Sequence, residues 1–529
     1  MDTFEQEIYP YIQNGNCSFG EAITASNTLE PVDACAAGAE KGSTINLQPG
    51  LYSLVSSDPS TVPFPNGELW ERKPQEMAGL PVITRKLKIN GNGAIITGGY
   101  NILPRILITL GDDIVINDLI LNGGGMSSSN IDATDYFAGG IYWHKEGHAV
   151  LNNVRIENGT ADYGGGIANN GMLELNNCII RGSIAYRQGG GIHNSGVMRI
   201  VDSFIEVNTA REGGGMALAG TGKTTIIDSD IDHNTTILGS GGGILIDPKQ
   251  GLVKLLIQDS RITENEANIG AGGGLAFLHN YNSGWSIESR ADPQNYAEVT
   301  LVNTVVSENT AEAGGGGIAW AEPLEKNILR ITQDSKIINN KSMFGFRHGG
   351  GILNARGTVV IENSTMEGNR TGNGAGIYNE LGILQVMDSV FARNYAYNEL
   401  EPESPDYGMG AGIFNSGGQV TVANTKFTEN QARFGSGIYY AYPGTGDGCE
   451  KIESAFTTVA NSCFVGNVVS SNESGPSTVD EVFADECKEP VIEATQNYWG
   501  PTVRPDETAP ANVLTVPFLE KAPSFCVQP

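Results

Sequence analysis

The chain has no long apolar run and little positive charge, and both absences narrow its function. No stretch of 18 apolar residues occurs, so the sequence predicts no transmembrane helix. Lys and Arg number 32 of 529 residues against 60 Asp and Glu, a formal charge of −28. Such a chain is repelled by nucleic acid and by anionic membrane surfaces. We therefore expect no nucleic-acid partner and no membrane insertion.

Sequence signatures of common enzyme sites are also missing. The chain carries no H-E-x-x-H zinc motif, no Gly-rich phosphate loop between a strand and a helix, and no G-x-S-x-G elbow. We expect no resident metal or cofactor on this basis. Ca²⁺ is the one ion left open, because the GTGDG segment around Asp447 weakly resembles a calcium loop.

What the chain does have is a repeat. Eleven times a glycine-rich segment leads into one aliphatic residue, here called the anchor. The segment is a run of two to four glycines, or in three cases Gly-Ala-Gly or Gly-Ser-Gly, and four of the ten spacings between anchors are 24 or 25 residues. The anchors are Ile141, Ile167, Ile192, Met216, Ile244, Leu275, Ile318, Ile352, Ile377, Ile413 and Ile438. A minimum period with variable insertions is typical of a solenoid, whose units stack and whose loops vary on the outside.

The clearest unit predicts the kind of solenoid. It contains three short pieces, Gly166–Asn169, Met172–Leu175 and Cys178–Ile184, separated by the turn formers Asn170-Gly171 and Asn176-Asn177. The middle piece alternates apolar and polar residues, as a half-buried strand does, and helical periodicity is absent. We therefore predict an all-β fold, a right-handed three-sided parallel β-helix of about thirteen rungs with capped ends. A leucine-rich repeat is set aside because its Leu-dense strands are missing.

Asp or Asn recurs at one position of nearly every unit, as in Asn177, Asp202 and Asp228, and a further Asn follows, as in Asn208. A column present in every rung cannot mark one site. We interpret these residues as turn formers and as amide stacks that hydrogen-bond along the axis.

The repeat also sets the domain boundaries. Residues 1–45 are predicted to be an irregular N-terminal cap, residues 46–470 the β-helix with loop insertions at 56–77, 279–298 and 395–409, and residues 471–529 a C-terminal cap or tail. Caps are needed because an open rung exposes unpaired strand edges. We expect a monomer.

Six of the seven cysteines cluster near the two ends of the chain. We predict a disulfide between Cys17 and Cys35, and three pairing schemes stay open for Cys449, Cys463, Cys487 and Cys526. Cys178 stands alone in a column of small residues and is interpreted as a core residue. Disulfides at the ends indicate an oxidising compartment, so we expect a secreted, extracellular or cell-surface protein.

Two resemblances to known families follow from these patterns. Cys17-Ser18-Phe19-Gly20-Glu21-Ala22 resembles the N-terminal C-S-L-R-E-A motif of secreted bacterial β-helix proteins, from which it departs at Phe19 and Gly20. Repeats such as Phe427–Asn430 with Gly435–Ile438 resemble those of chlamydial polymorphic membrane proteins, which are surface adhesin passengers. The similar pectin-lyase-like superfamily includes polysaccharide lyases and hydrolases. The resemblances imply a β-helix that acts as an adhesin or on carbohydrate.

The insertions indicate where a ligand could bind. The residue after each anchor should point outward by alternation, and four consecutive rungs lengthen the following turn. We predict a strip that binds an extended ligand, a neutral or Ca²⁺-bridged glycan or another cell-surface ligand, by ring stacking. Its residues, the ligand strip, are Trp285, Asp292, Tyr296, Trp320, Glu322, Tyr378 and Phe414. The alternative is that they merely cover the face under long loops.

A second cluster precedes the anchors of three adjacent rungs and supports an enzyme alternative. A polysaccharide lyase or glycoside hydrolase needs acids, a base and cations close together. The candidates are Asp162, Arg187, Arg211 and Glu212, with His193 nearby, directly after an anchor. Surface ion pairs on stacked turns would explain the same residues without catalysis.

Overall fold

The structure is a computed structural model. It describes residues 5–7, 15–54, 79–98, 105–124, 139–248, 251–278, 295–321, 326–343, 348–397, 408–441, 455–469, 482–484, 492–499, 513–515 and 518–527. The three predicted loop insertions lie wholly or largely outside these residues. The chain forms two compact units, Met1–Ile237 with Gly243–Lys254, and Leu238–Gly242 with Leu255–Pro529.

Each unit is built as a parallel β-helix, which confirms the predicted fold class. A rung contains four short strands that form three sheets, because the first and second strands belong to one sheet and are separated by a sharp bend. The predicted third piece of the rung is therefore two strands. The fourth strand occurs six times in the first unit and seven times in the second among the described residues, in agreement with about thirteen rungs.

In the first unit the strands have the following bounds. In the earliest rungs one long strand takes the place of both the first and the second strand, namely Leu87–Gly98 and Ile114–Asn122. First strands are His148–Asn152, Met172–Asn176, Val197–Val201 and Lys223–Ile227; second strands are Arg155–Glu157, Ile179–Arg181, Phe204–Glu206 and Asp230–Asp232. Third strands are Thr160–Tyr163, Ile184–Gln188, Thr209–Glu212 and Thr235–Thr236; fourth strands are Leu107–Thr109, Tyr142–His144, Ile167–Asn169, Ile192–Asn194, Met216–Ala219 and Ile244–Asp247.

The second unit repeats this order. First strands are Leu252–Gln258, which begins in the first unit, then Tyr296–Val302, Ile328–Thr332, Thr358–Glu362, Ile383–Met387, Gln419–Ala423 and Phe456–Ala460. Second strands are Arg261–Thr263, Val305–Ser307, Lys336–Ile338, Thr365–Glu367, Val390–Ala392, Lys426–Thr428 and Cys463–Val465. Third strands are Glu266–Ala267, Thr310–Ala311, Lys341–Ser342, Arg370–Thr371, Tyr395–Ala396, Gln431–Ala432 and Val468–Val469. Fourth strands are Leu275–Leu278, Ile318–Ala321, Ile352–Ala355, Ile377–Glu380, Ile413–Ser416, Ile438–Ala441 and Val482–Ala484.

The anchors form the core. All eleven are fully buried, and Ile167, Ile192 and Met216 pair in register on consecutive fourth strands. One anchor is displaced: Tyr142, and not Ile141, pairs with Ile167, so the outward residue of that rung is Trp143. The predicted register is therefore wrong by one residue at Ile141.

The recurring Asp and Asn residues have the structural role that we predicted. Asn177 and Asp202 adopt left-handed backbone angles (φ 52° and 48°) at the bend between the first and second strands. Asn and Asp tolerate this conformation better than other non-Gly residues. Their side chains lie outside, whereas Asn208 and Asn234 are fully buried, and the Asn208 Nδ2 donates to Asn234 Oδ1 at 3.0 Å.

The N-terminal cap contains a helix, Phe19–Thr28, where an irregular segment was predicted. The Glu21 N–H donates to the Ser18 Oγ while the Ser18 N–H donates to the Glu21 carboxylate, a capping box that the S-F-G-E sequence encodes. The predicted Cys17–Cys35 disulfide is confirmed and joins this helix start to the loop that follows it. Two short strands, Ser43–Asn46 and Leu51–Leu54, pair with Leu87–Gly98, and Glu5–Glu7 pairs with Leu51–Leu54.

The repeat continues into the predicted C-terminal cap. Ile492–Glu493 pairs with Phe456–Ala460, and Asn497 accepts a hydrogen bond from the Ser462 N–H at 2.8 Å, as a residue of the next rung would. Val513–Leu514 pairs with Ile492–Glu493, and a short helix, Ser524–Val527, follows. A second disulfide joins Cys463 to Cys526. Cys449 and Cys487 lie outside the described residues.

Cys178 is a buried free thiol whose Sγ lies 3.3 Å from the Leu151 carbonyl oxygen. Burial raises the pKa of this thiol to about 11. A thiol with so high a pKa is a poor nucleophile, which agrees with the interpretation as a core residue.

Candidate functional site

The ligand strip predicted in the second unit is largely buried where the structure describes it. Trp320 is fully buried, packs its ring 4.7 Å from that of Phe277, and donates its Nε1–H to the Asn327 carbonyl oxygen at 3.4 Å. Ala319, the residue before it in the strand, points outward, and successive side chains of a strand point to opposite faces, so Trp320 points inward. Trp320 is therefore a core residue and offers no ring to a ligand.

Tyr378 and Phe414 do face outward, but other rings cover them. Their rings stack 4.7 Å apart, and the stack continues to Tyr439 at 5.1 Å and to His348 at 4.0 Å. The exposed fractions of Tyr378 and Phe414 are 7% and 5%. The expectation of open rings at these two positions is wrong, because outward residues of consecutive rungs are close enough to cover one another.

The remaining residues of the ligand strip divide into two groups. Tyr296 is half-buried, and the Lys326 Nζ lies 5.9 Å from its ring centre. Trp285, Asp292 and Glu322 lie outside the described residues. A role of these four residues in ligand binding stays a prediction.

In the first unit, by contrast, three rings are partly exposed on the outer face of the fourth-strand sheet or at its edge. They are Trp143, Tyr163 and His193, here called the platform. Trp143 and His193 both pair with Ala168, one on each side, so they are two rungs, or about 10 Å, apart. The small Ala168 lies between these two side chains and is itself buried.

One hydrogen bond and two cations contact the Trp143 ring. Its Nε1–H donates to Asn170 Oδ1 at 2.9 Å, and the Arg105 guanidinium and the Lys145 ammonium each lie 4.6 Å from its ring centre. Arg105 is fully buried, and burial lowers its pKa to about 10, so it stays charged at neutral pH. Lys145 is half-buried and has a flexible side chain that a ligand can displace.

Buried polar contacts explain why Trp143 rather than Tyr142 faces outward. Thr109 Oγ1 lies 2.9 Å from the Tyr142 hydroxyl and 2.8 Å from His144 Nδ1, and all three side chains are fully buried. Burial raises the pKa of Tyr142 and lowers that of His144, so both are neutral at pH 7. These contacts hold Tyr142 and His144 inward, and alternation then turns Trp143 outward.

The other two rings of the platform contact each other. The Tyr163 and His193 ring centres are 5.1 Å apart in an edge-to-face arrangement, and the Arg187 guanidinium lies 5.9 Å from the Tyr163 ring centre. Two of the predicted catalytic candidates, Arg187 and His193, are thus brought together around Tyr163.

The other three catalytic candidates, Asp162, Arg211 and Glu212, have a different arrangement. Asp162 is buried and Arg211 is exposed, whereas Glu212 shares a hydrogen-bond donor with Asp247. The Gln188 Nε2 donates to Glu212 Oε2 at 3.0 Å and to Asp247 Oδ2 at 2.9 Å, so these two oxygens are within about 6 Å of each other. Sequence reasoning missed Asp247, because its place beside Glu212 depends on the stacking of three rungs.

Metal binding has no support in the described part of the chain, where no group of three or more His, Cys, Asp or Glu side chains is arranged to hold an ion. None of the described helices is long and apolar enough to cross a membrane.

Trp143 is the platform residue that sequence reasoning missed. The register error at Ile141 assigned the outward position of this rung to Tyr142. The glycines before Ile141 give no signal of the shift, since Ile377 and Ile413 follow a shorter glycine run and still pair in register.

Comparison with known protein families, with curated proteins and with solved structures finds no match to this chain. Its function therefore has to be inferred from the site itself.

Proposed function

We propose that the protein is a binding module for an extended glycan, with the platform of Trp143, Tyr163 and His193 as its contact surface. The observation that carries the proposal is the partial exposure of three rings on one side of the first unit, next to cations and carboxylates. Aromatic faces pack against the C–H faces of sugar rings, and polar groups around them bind hydroxyls and fix the orientation.

The geometry suits a ligand that runs along the rungs. Trp143 and His193 are separated by about 10 Å along the stack of rungs, with the buried Ala168 between them. Gln188, Glu212 and Asp247 add donors and acceptors to the following rungs. A single small ligand would contact one ring, whereas an oligosaccharide would contact both.

A location outside the cytoplasm is part of this proposal. The described residues hold two disulfides, Cys17–Cys35 and Cys463–Cys526, which persist in oxidising compartments. Secretion or display at the cell surface would bring the platform to extracellular or host glycans, in line with the resemblance to adhesin repeats. The role of Ca²⁺ as a bridge to acidic glycans is a further part of the proposal.

A glycan array with the purified chain tests this function. We expect binding to oligosaccharides of at least two sugar units, and Trp143→Ala should weaken it by about 1–3 kcal/mol, the range for losing a large aromatic contact. Phe204→Ala is the matched control, since Phe204 is 41% exposed but lies on a second strand. Equal binding by parent and Trp143→Ala for every glycan would refute the platform.

The enzyme alternative has one specific observation in its favour, the carboxylate pair Glu212 and Asp247. Two carboxyl groups about 5–5.5 Å apart suit a retaining glycoside hydrolase, and the Gln188 amide holds this pair within about 6 Å. Arg187 and His193 would supply the cation and the base of a lyase instead.

A reducing-sugar assay and an unsaturated-uronate assay on the glycans that bind separate these roles. Hydrolysis that disappears in Glu212→Gln and Asp247→Asn, with glycan binding retained, would establish a hydrolase. Release of unsaturated uronate that disappears in His193→Ala would establish a lyase. Binding without turnover in both assays is the result expected of a binding module.

A further inference from the structure

A surface cavity lies in the second unit, beside the short helix Ser524–Val527. A cavity of about 360 Å³ is lined by Asp388, Ser389, Val390, Asn424, Lys426 and Phe525. This volume falls within the usual range for small-ligand pockets, about 300–1,000 Å³. None of these residues belongs to the platform or the ligand strip.

The lining combines an apolar face with polar groups. Phe525 is 37% exposed although it is a large apolar side chain, and Val390 lies half-buried in the same cavity. Asp388 and Asn424 are exposed and hydrogen-bonded to each other, Nδ2 to Oδ1 at 3.1 Å. One aromatic ring faces directional donors and acceptors here, and such a mixture fixes the orientation of a small polar ligand.

The charges of the lining select among ligand classes. Asp388 and Lys426 carry opposite signs, so the formal charge of the cavity is zero. Neither a simple anion nor a simple cation is favoured by such a site. A neutral polyhydroxyl ligand fits better, because its hydroxyls can donate to Asp388 and accept from Lys426 and Asn424.

A disulfide bond holds the helix that carries Phe525 in place. Phe525 belongs to the short helix Ser524–Val527, and the neighbouring Cys526 is joined to the buried Cys463 of a second strand. Lys426 lies on the adjacent second strand and pairs with Cys463. The disulfide therefore fixes Phe525 close to the strands that carry the polar groups.

We propose that this cavity binds one neutral sugar ring, with Phe525 stacked on its C–H face and Asp388, Asn424 and Lys426 on its hydroxyls. The site is separate from the platform and does not depend on it. The Cys463–Cys526 disulfide is required, because it is the covalent bond that holds the helix of Phe525 against the second strands.

Saturation-transfer NMR with the full chain tests the proposal, using the methyl glycosides of glucose, galactose, mannose and N-acetylglucosamine as probes. We expect signal transfer to at least one of them and about tenfold weaker binding in Phe525→Ala. Cys526→Ser should weaken binding similarly although it retains Phe525. Phe456→Ala is the matched control, a 42% exposed phenylalanine of the same unit that does not line the cavity, and it should leave binding unchanged.

Three outcomes would overturn the proposal: no transfer to any of the four glycosides, equal binding by parent and Phe525→Ala, or binding of free leucine in place of the sugars, which would make the site a zwitterion site. Trp143→Ala separates the two sites. It should weaken oligosaccharide binding at the platform and leave the methyl glycoside signal intact.

Discussion

At the scale of single residues, burial changes side-chain chemistry in the second unit. His348 stacks on Tyr378 at 4.0 Å, and its Nδ1 is shielded from solvent and has no hydrogen-bond partner among the described residues. The residue as a whole is half-buried, but the ring nitrogen is enclosed. This burial lowers the pKa of His348 to about 4.

The first prediction concerns the pH dependence of stability. Between about pH 6.5 and 4 the unfolded chain binds a proton at His348 and the folded chain does not, so the free energy of unfolding falls as pH falls through this window. His348→Phe should remove this contribution, about 1–2 kcal/mol after allowance for solvent screening.

Denaturant unfolding of parent and His348→Phe at pH 7.5 and pH 4.5 (roughly one unit outside and well inside that window) measures the effect. The variant should gain stability relative to the parent on going to the lower pH. Parallel pH profiles of the two proteins would show that His348 titrates normally in the folded chain.

At the scale of structural elements, the buried amide stack links one rung to the next. Asn369 accepts a hydrogen bond from the Asn340 backbone N–H at 3.0 Å, and its own Nδ2 donates to the Ile337 carbonyl oxygen at 2.8 Å and to Asn394 Oδ1 at 3.0 Å. The stack satisfies backbone groups at bends that the strand ladders do not reach.

The second prediction is that Asn369→Ala lowers the free energy of unfolding by about 2–4 kcal/mol, because it leaves the Asn340 N–H and the Ile337 carbonyl buried without partners. Asn363→Gly is the control. Asn363 is exposed and has a positive φ of 45°, which glycine accepts without strain.

Urea titrations of both variants measure the difference. We expect the Asn363→Gly midpoint to stay close to that of the parent, since surface substitutions usually change stability by about 0.5 kcal/mol or less. Similar losses of unfolding free energy in the two variants would mean that the buried amide stack contributes no more to stability than the exposed Asp and Asn residues at the bends.

At the scale of the whole molecule, the interior of each unit consists of columns that contain one residue from each rung. Ile167, Ile192 and Met216 form such a column in the first unit, and Leu275, Ile318 and Ile352 form one in the second. Each column residue contacts its neighbours above and below, so a defect in one rung affects the adjacent rungs directly.

The third prediction follows from this packing. Ile192→Asp buries a carboxylate without a partner at a cost of several kcal/mol and should give an insoluble or strongly destabilised protein. Val197→Asp, five positions later in the sequence and 41% exposed, should remain soluble with a nearly unchanged melting temperature.

Soluble yield and thermal melting of the two variants are the measurements. A soluble Ile192→Asp protein with the melting temperature of the parent would place Ile192 on the outside. The register of the fourth strands, and with it the position of the platform, would then be wrong.

The sequence by itself determined the solenoid. Glycine runs before Ile192 and Ile352 mark the buried anchors, and Asn177 and Asn208 mark the bends, because each rung repeats the same backbone requirement. The capping box of Ser18 and Glu21 is also a local sequence pattern, although we did not predict the helix that it begins. Period and turn chemistry are local properties, so a single chain displays them without its fold.

The tertiary structure decided which rings are open to a ligand. Alternation predicts that Tyr378 and Phe414 face outward, but stacking across rungs covers them, whereas a one-residue register shift at Tyr142 leaves Trp143 accessible. The pairing of Glu212 with Asp247 and the cavity beneath Phe525 likewise join residues from different rungs. Exposure and proximity of this kind depend on stacking distances near 4.8 Å, which the order of residues along the chain does not encode.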